Sequence, residues 1–140
     1  MRRRQRGSVL MLMPAGVLIV LLLGAIAFDL SVLFLRQRQA SGVAVDVAND
    51  LASAAFDEGA FRATGEFALD PARADQLGRA FVDQSDLSGD VVSLAVDIIG
   101  PNSVTVTLIV RVDYVFAKAI PGASDGSTVT ARATAVATAG

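Results

Sequence analysis

The sequence predicts an α+β fold: a long N-terminal helix whose first half spans a membrane, then a small antiparallel sheet domain with one additional helix. Three observations carry this. Ser8 to Phe28 is free of charge, apolar positions at helical spacing continue from there to Phe61, and apolar and polar residues alternate from Ser103 to Phe116.

The N-terminal run comes first. Its 21 residues, at 1.5 Å per residue, cover about 30 Å, the thickness of a bilayer's hydrocarbon core. Arg2, Arg3, Arg4 and Arg6 precede it, against Arg36 and Arg38 beyond it. That asymmetry predicts a cytoplasmic N-terminus and an exported remainder. The expected layout is a basic segment or leader over 1–7, a transmembrane helix over 8–35, an amphipathic extension over 36–61 and an extracytoplasmic α+β domain over 62–140. Val9, Leu12, Pro14, Leu22, Phe28 and Leu35 mark the membrane stem. Pro14 either kinks the helix or lies in its first turn, where proline is tolerated. Asp29, at the outer edge of the span where water reaches, calls for no special role. Ala25-Ile26-Ala27 offers a signal-peptidase site. The apolar run is longer than a usual signal-peptide core, however, and resumes through Phe34 and Leu35.

Beyond Arg36, "QRQASGVAVDVANDLASAAFDEGAF" sets Val47, Leu51, Ala54, Ala55 and Phe56 at helical spacing. Asp46, Asn49, Asp50, Ser53 and Asp57 fall opposite. One continuous helix through Gly42 is expected, with Gly59 as terminator. A second helix starts with Asp70 as cap and Pro71 in the first turn, and presents Ala74, Leu77 and Phe81 to the core. "SDLSGD" reads as a polar loop.

"VVSLAVDII", the turn "GPNS" and "SVTVTLIVRVDYVF" then form a hairpin. Val104, Val106, Leu108, Val110, Val112, Tyr114 and Phe116 share one face of its second strand. After the loop "AIPGASDGS", "STVTARATAVATA" places Val129, Ala131, Ala133, Ala135 and Ala137 on a single face. A face that small calls for a close neighbour such as the long helix. Three or four strands are expected.

The composition argues against catalysis. Without cysteine or histidine there is no disulfide, no thiolate metal site, and no Ser-His-Asp or Cys-His arrangement. Lys118, the only lysine, lies in a loop. Asp46, Asp50, Asp57 and Glu58 read as a solvated helix face rather than acid–base pairs. Asp86, Ser88 and Asp90 alternate like calcium ligands, but Val91 stands where the calcium loop needs glycine. There is no phosphate-binding glycine motif and no G-x-x-x-G pair in the span. From Arg36 onward, 8 basic residues face 13 acidic ones, so no basic stripe for nucleic acid remains outside the N-terminus. A non-enzymatic chain without cofactor or metal, and without a nucleic-acid partner, is expected.

The segment "RRRQRGSVLMLMPAGVLIVLLLGAIAFDLSVLFLRQRQASGVAVDVANDLASAA" resembles the Tad (Flp) pilus-assembly proteins of the TadE/TadG type, and "YVFAKAIPG" resembles their actinobacterial members. The resemblance covers about 50 residues well and the rest loosely. It implies a pilin-like fold and a role as minor pilin, pseudopilin or assembly factor of a bacterial type IVb pilus or related secretion apparatus. It implies a single-pass protein of the cytoplasmic membrane, with the C-terminal domain outside. Its partners would be the membrane, other pilus or secretion-apparatus subunits, a prepilin peptidase, and homo- or hetero-oligomeric neighbours. The peptidase junction would be Gly7–Ser8. The family pattern expects glutamate at the fifth position after the cut, and Leu12 stands there. A processed pseudopilin, an uncut anchor and a chain cut after Ala27 are therefore left as alternatives. The rival from another class is a membrane-anchored extracytoplasmic binding or sensor domain, which requires a ligand pocket in the sheet domain.

Overall fold

The computed structural model describes residues 6–66 and 68–137, with side chains from residue 12 onward. The expectations for Arg2, Arg3 and Arg4 lie outside the described residues. Elements run α1 (Arg6–Ala54), α2 (Glu58–Thr64), α3 (Pro71–Asp83), β1 (Val91–Ile99), β2 (Ser103–Asp113) and β3 (Gly126–Val136). A 3-10 turn, Ala117–Ala119, lies between β2 and β3. The α+β layout predicted from sequence is what the chain adopts.

The sheet is antiparallel in the order β1-β2-β3. On its inner face lie Val104, Val106, Leu108, Val110 and Val112 from the central strand, all at most 3% exposed. Register places Val129 opposite Val110, Ala131 opposite Leu108, Ala133 opposite Val106 and Ala135 opposite Val104. The outer face is mostly polar, with Ile99, Ile109 and Val136 among its threonines, and Thr105 and Thr134 share a hydroxyl hydrogen bond of 2.8 Å there. The second half of α1 crosses β3 and β2, while α3 packs on β1 and α1. Two layers thus enclose one core.

The face that meets the sheet consists of Ala40, Ala44, Val47, Ala48, Leu51 and Ala52 of α1, with Ala55 just past its end. Alanine on both helix and β3 removes the side chains that would hold the layers apart. Leu51, with no exposed surface, fills the widening gap toward α3. There Gly78 lets α3 approach: a Cβ on it would lie 3.0 Å from Val96 Cγ2 and 3.4 Å from Leu51 Cδ1.

Several expectations are corrected. The 36–61 extension does not remain one helix to Gly59, because α1 ends at Ala54. Asp57 instead caps a new helix, its Oδ1 accepting from Ala60 N at 2.9 Å. Phe56 pairs with Leu69, and Asp57 N donates to the Ala68 carbonyl at 2.9 Å. The competing cap and this bridge break the rod, and Gly65, at φ 73°, ends α2. Two further α-helices therefore follow α1, where one was expected. On α3, Asp70 caps as predicted, accepting from Ala72 N and Arg73 N. Its buried stripe is Ala74, Gly78 and Val82, with Leu77 and Phe81 half-buried beside it. β2 stops at Asp113, which leaves Tyr114 half-buried and Phe116 exposed in the following loop. Pro14 lies inside α1, so the carbonyl four residues earlier lacks its intrahelical donor.

Truncating Leu51→Ala is expected to cost about 2–5 kcal/mol, since it opens a cavity at the junction of both layers. Ala131→Leu should cost about 1–3 kcal/mol by prising α1 from β3. Thr130→Leu, on the exposed face, should stay within about 0.5 kcal/mol. Denaturant midpoints of the detergent-solubilised chain measure all three.

Candidate functional site: an apolar stem and its junction with the domain

The surface with the strongest chemical demand is the first half of α1. From Leu12 to Phe28 every described side chain is exposed except the half-buried Ala25. Leu12 is 65% exposed, Leu22 49% and Phe28 50%. An 18-residue stretch of this helix has mean hydropathy 2.7, with only 6% of it buried. Such a continuous apolar patch cannot remain in water without a covering phase. The helix is long and apolar enough to cross a membrane.

The predicted stem residues divide at Asp29. Leu12, Pro14, Leu22 and Phe28 lie on the free part, whereas Leu35 lies where the helix already touches the domain, with Val32 and Leu33 turned toward the core. Leu35 itself is 58% exposed. Gly7, Ser8 and Val9 lie in the first turn of the described helix, and their side chains are outside the described residues.

Asp29 is 7% exposed and holds the junction. Its Oδ1 accepts from Val115 N at 2.8 Å and Phe116 N at 3.1 Å. Its Oδ2 accepts from Ala117 N at 2.8 Å and, more weakly, Phe116 N at 3.3 Å. One carboxylate thereby captures three successive amides of the β2–β3 loop. Hydrogen bonds to an ionised acceptor are roughly twice as strong as neutral ones. Beside it, the Phe28 and Phe116 rings meet edge-on at 90°, with centroids 5.3 Å apart. Further along α1, Gln37 Nε2 donates to the Thr130 carbonyl at 3.0 Å, and Arg36 pairs with Asp90 at 3.4 Å.

Sequence reasoning assigned Asp29 no special role, and the structure corrects that. The available signal was a lone acid between Ser8 and Leu35, in a helix that had to meet a domain. Several of the other acids have structural partners. Asp57 and Asp70 cap helices, Glu58 pairs with Arg62, Asp75 pairs with Arg79, and Asp90 with Arg36. Among the described residues, no three His, Cys, Asp or Glu side chains converge as metal ligands. An open cleft of about 390 Å³ lies between α3 and β1, with Arg79, Asp83, Ser88 and Leu94 in its walls. Arg79 there is already held by Asp75 at 2.9 Å. No buried polar side-chain atom among the described residues lacks a partner.

No family model, curated protein or solved structure matches the chain.

Asp29→Ala and Asp29→Asn should both strip hydrogen-exchange protection from the amides of Val115, Phe116 and Ala117, while the β2–β3 ladder keeps its own. Asparagine belongs with alanine here because its amide group offers N–H where the loop needs an acceptor. A chain beginning at Phe28 retains Asp29 and every helix contact to the sheet. It is expected to fold as a water-soluble domain, with the same amide protection pattern from residue 40 onward.

Proposed function

We propose that the protein is a membrane-anchored structural or assembly component of a Tad/Flp-type pilus or related secretion apparatus, in the manner of a minor pilin or pseudopilin. The observation that carries this reading is the dual use of α1. One uninterrupted helix is exposed and apolar through Leu12–Phe28, then becomes the inner layer of the sheet domain. A tether for a sensor or enzyme needs only to reach the membrane. A helix fused into the core fixes the domain's orientation on its stem, as a packing subunit requires. The polar N-terminal arginines support a cytoplasmic start and an exported domain.

The proposed chemistry is non-covalent. The stem offers apolar surface to lipid or to neighbouring stems, and the domain offers contact surface to other subunits. Leu12 replaces the glutamate of the family pattern with an apolar side chain. Any packing of stems through this position is therefore by van der Waals contact rather than by pairing with a neighbour's terminal amine. The alternative, an anchored binding or sensor domain, draws on the open cleft between α3 and β1.

Cells lacking the chain are expected to lose their surface filaments or the matching secretion. Filaments that persist unchanged overturn the pilus reading. Intact mass of the membrane-extracted protein then separates the maturation routes. A chain beginning at Ser8 supports peptidase processing, an intact N-terminus supports a permanent anchor, and a start at Phe28 overturns the membrane stem.

A further inference from the structure

The β2–β3 loop carries a second apolar surface at a defined height on the stem. Val115 is 45% exposed, Phe116 46% and Ile120 52%, although the loop is otherwise tightly held. The three amides bonded to Asp29 fix this loop one residue beyond Phe28. The edge-on contact between Phe116 and Phe28 makes its apolar surface continuous with that of the stem. Lys118, exposed in the 3-10 turn, stands among these apolar residues. Apolar side chains around a cation on a long flexible stem match the boundary between acyl chains and headgroups. The span's length sets the same level. About 20 residues cross the hydrocarbon, so a span ending at Phe28 brings the outer boundary to the loop.

Building on the membrane stem proposed above, we propose that the Val115–Ile120 loop is a second membrane contact. Val115, Phe116 and Ile120 enter the headgroup–acyl boundary of the leaflet from which α1 emerges, and Lys118 lies against lipid phosphate. The occupant of this surface is lipid rather than a second protein chain, because the surface is an unbroken extension of the one the stem buries in the bilayer. Two contacts on one rigid body define a plane, so the domain sits against the membrane at one fixed tilt.

The chain contains no tryptophan, so a single introduced indole reports alone. Phe116→Trp, Ile120→Trp and Leu22→Trp are prepared in the full chain and reconstituted in phosphatidylcholine–phosphatidylglycerol vesicles. The vesicles carry bromines either near the headgroup or near the acyl ends. Leu22 lies six residues, about 9 Å of helix rise, deeper than Phe28. Its indole should be quenched most by the deep bromines. Indoles at 116 and 120 should emit at blue-shifted wavelengths and be quenched most by the shallow bromines, an effect that Lys118→Glu weakens. Ile120→Trp leaves the Phe28–Phe116 contact untouched, so it still tests the loop if a bulkier ring at 116 disturbs it. Unquenched, water-like emission at both 116 and 120, with strong quenching at 22, overturns the loop contact and leaves the stem standing. Shielded emission that bromine does not quench assigns the surface to a second chain and equally overturns the proposal. Loss of quenching at 22 as well overturns the stem and the loop contact together.

Discussion

The structure depends on how closely α1 can lie on the sheet. A helix and a sheet normally stand apart by the thickness of their side chains. Here the helix offers Ala40, Ala44, Ala48 and Ala52, with Ala55 just past its end, and β3 offers Ala131, Ala133 and Ala135 in return. Each alanine contributes little transfer energy alone, because it buries only a methyl group. What the pairing secures is proximity. It draws α1 down onto β2 and β3, and it allows three strands to be covered by one long helix and one short one. Any larger side chain in this seam acts on the whole interface, since close-packed interiors transmit displacement.

Asp29 solves a separate problem at the end of that seam. Beyond Asp113 the chain leaves the sheet, and the amides of Val115, Phe116 and Ala117 have no strand to receive them. Buried donors must find acceptors. The carboxylate accepts three of them at once, from a helix position that is otherwise the last before a wholly apolar surface. The same group thus finishes the domain and marks where the stem begins. Tyr114 N, bonded to the Asp125 carbonyl at 2.9 Å, closes the loop from its other side.

Period and alternation made most of the architecture legible. β2 and β3 are legible because Val104 to Val112 and Val129 to Ala137 repeat every second residue, and a wrong register would expose the whole face, while β1 follows as the hairpin partner ahead of the turn at Gly100. The cap at Asp70 was legible because its signal is confined to Asp70 and Pro71. The alanine stripe of α1 was only partly so. Alanine differs too little from its neighbours to mark a face, and Ala40, Ala44, Ala48 and Ala52 went unmarked while Val47 and Leu51 stood out. The break after Ala54 was hidden, since it rests on Phe56 meeting Leu69 from the far side of α2, a pairing that periodicity does not encode. Asp29 was hidden most completely. Its partners lie 86 to 88 residues away, and no local pattern records a bond to a backbone amide. The exposed stem was legible as an apolar run, although its division at Asp29 was not.

The unbroken passage of α1 from stem to core has a mechanical consequence. A pull on the free part of the stem does not meet a pliable linker that stretches before the domain feels it. Tension runs along the rod and arrives as shear between α1 and β3, parallel to the alanine seam. To yield, many small contacts must slip together, and the Asp29 carboxylate must release three amides at the very point where the force enters. A chain built this way resists unfolding as one event, and a twist of the stem turns the domain with it.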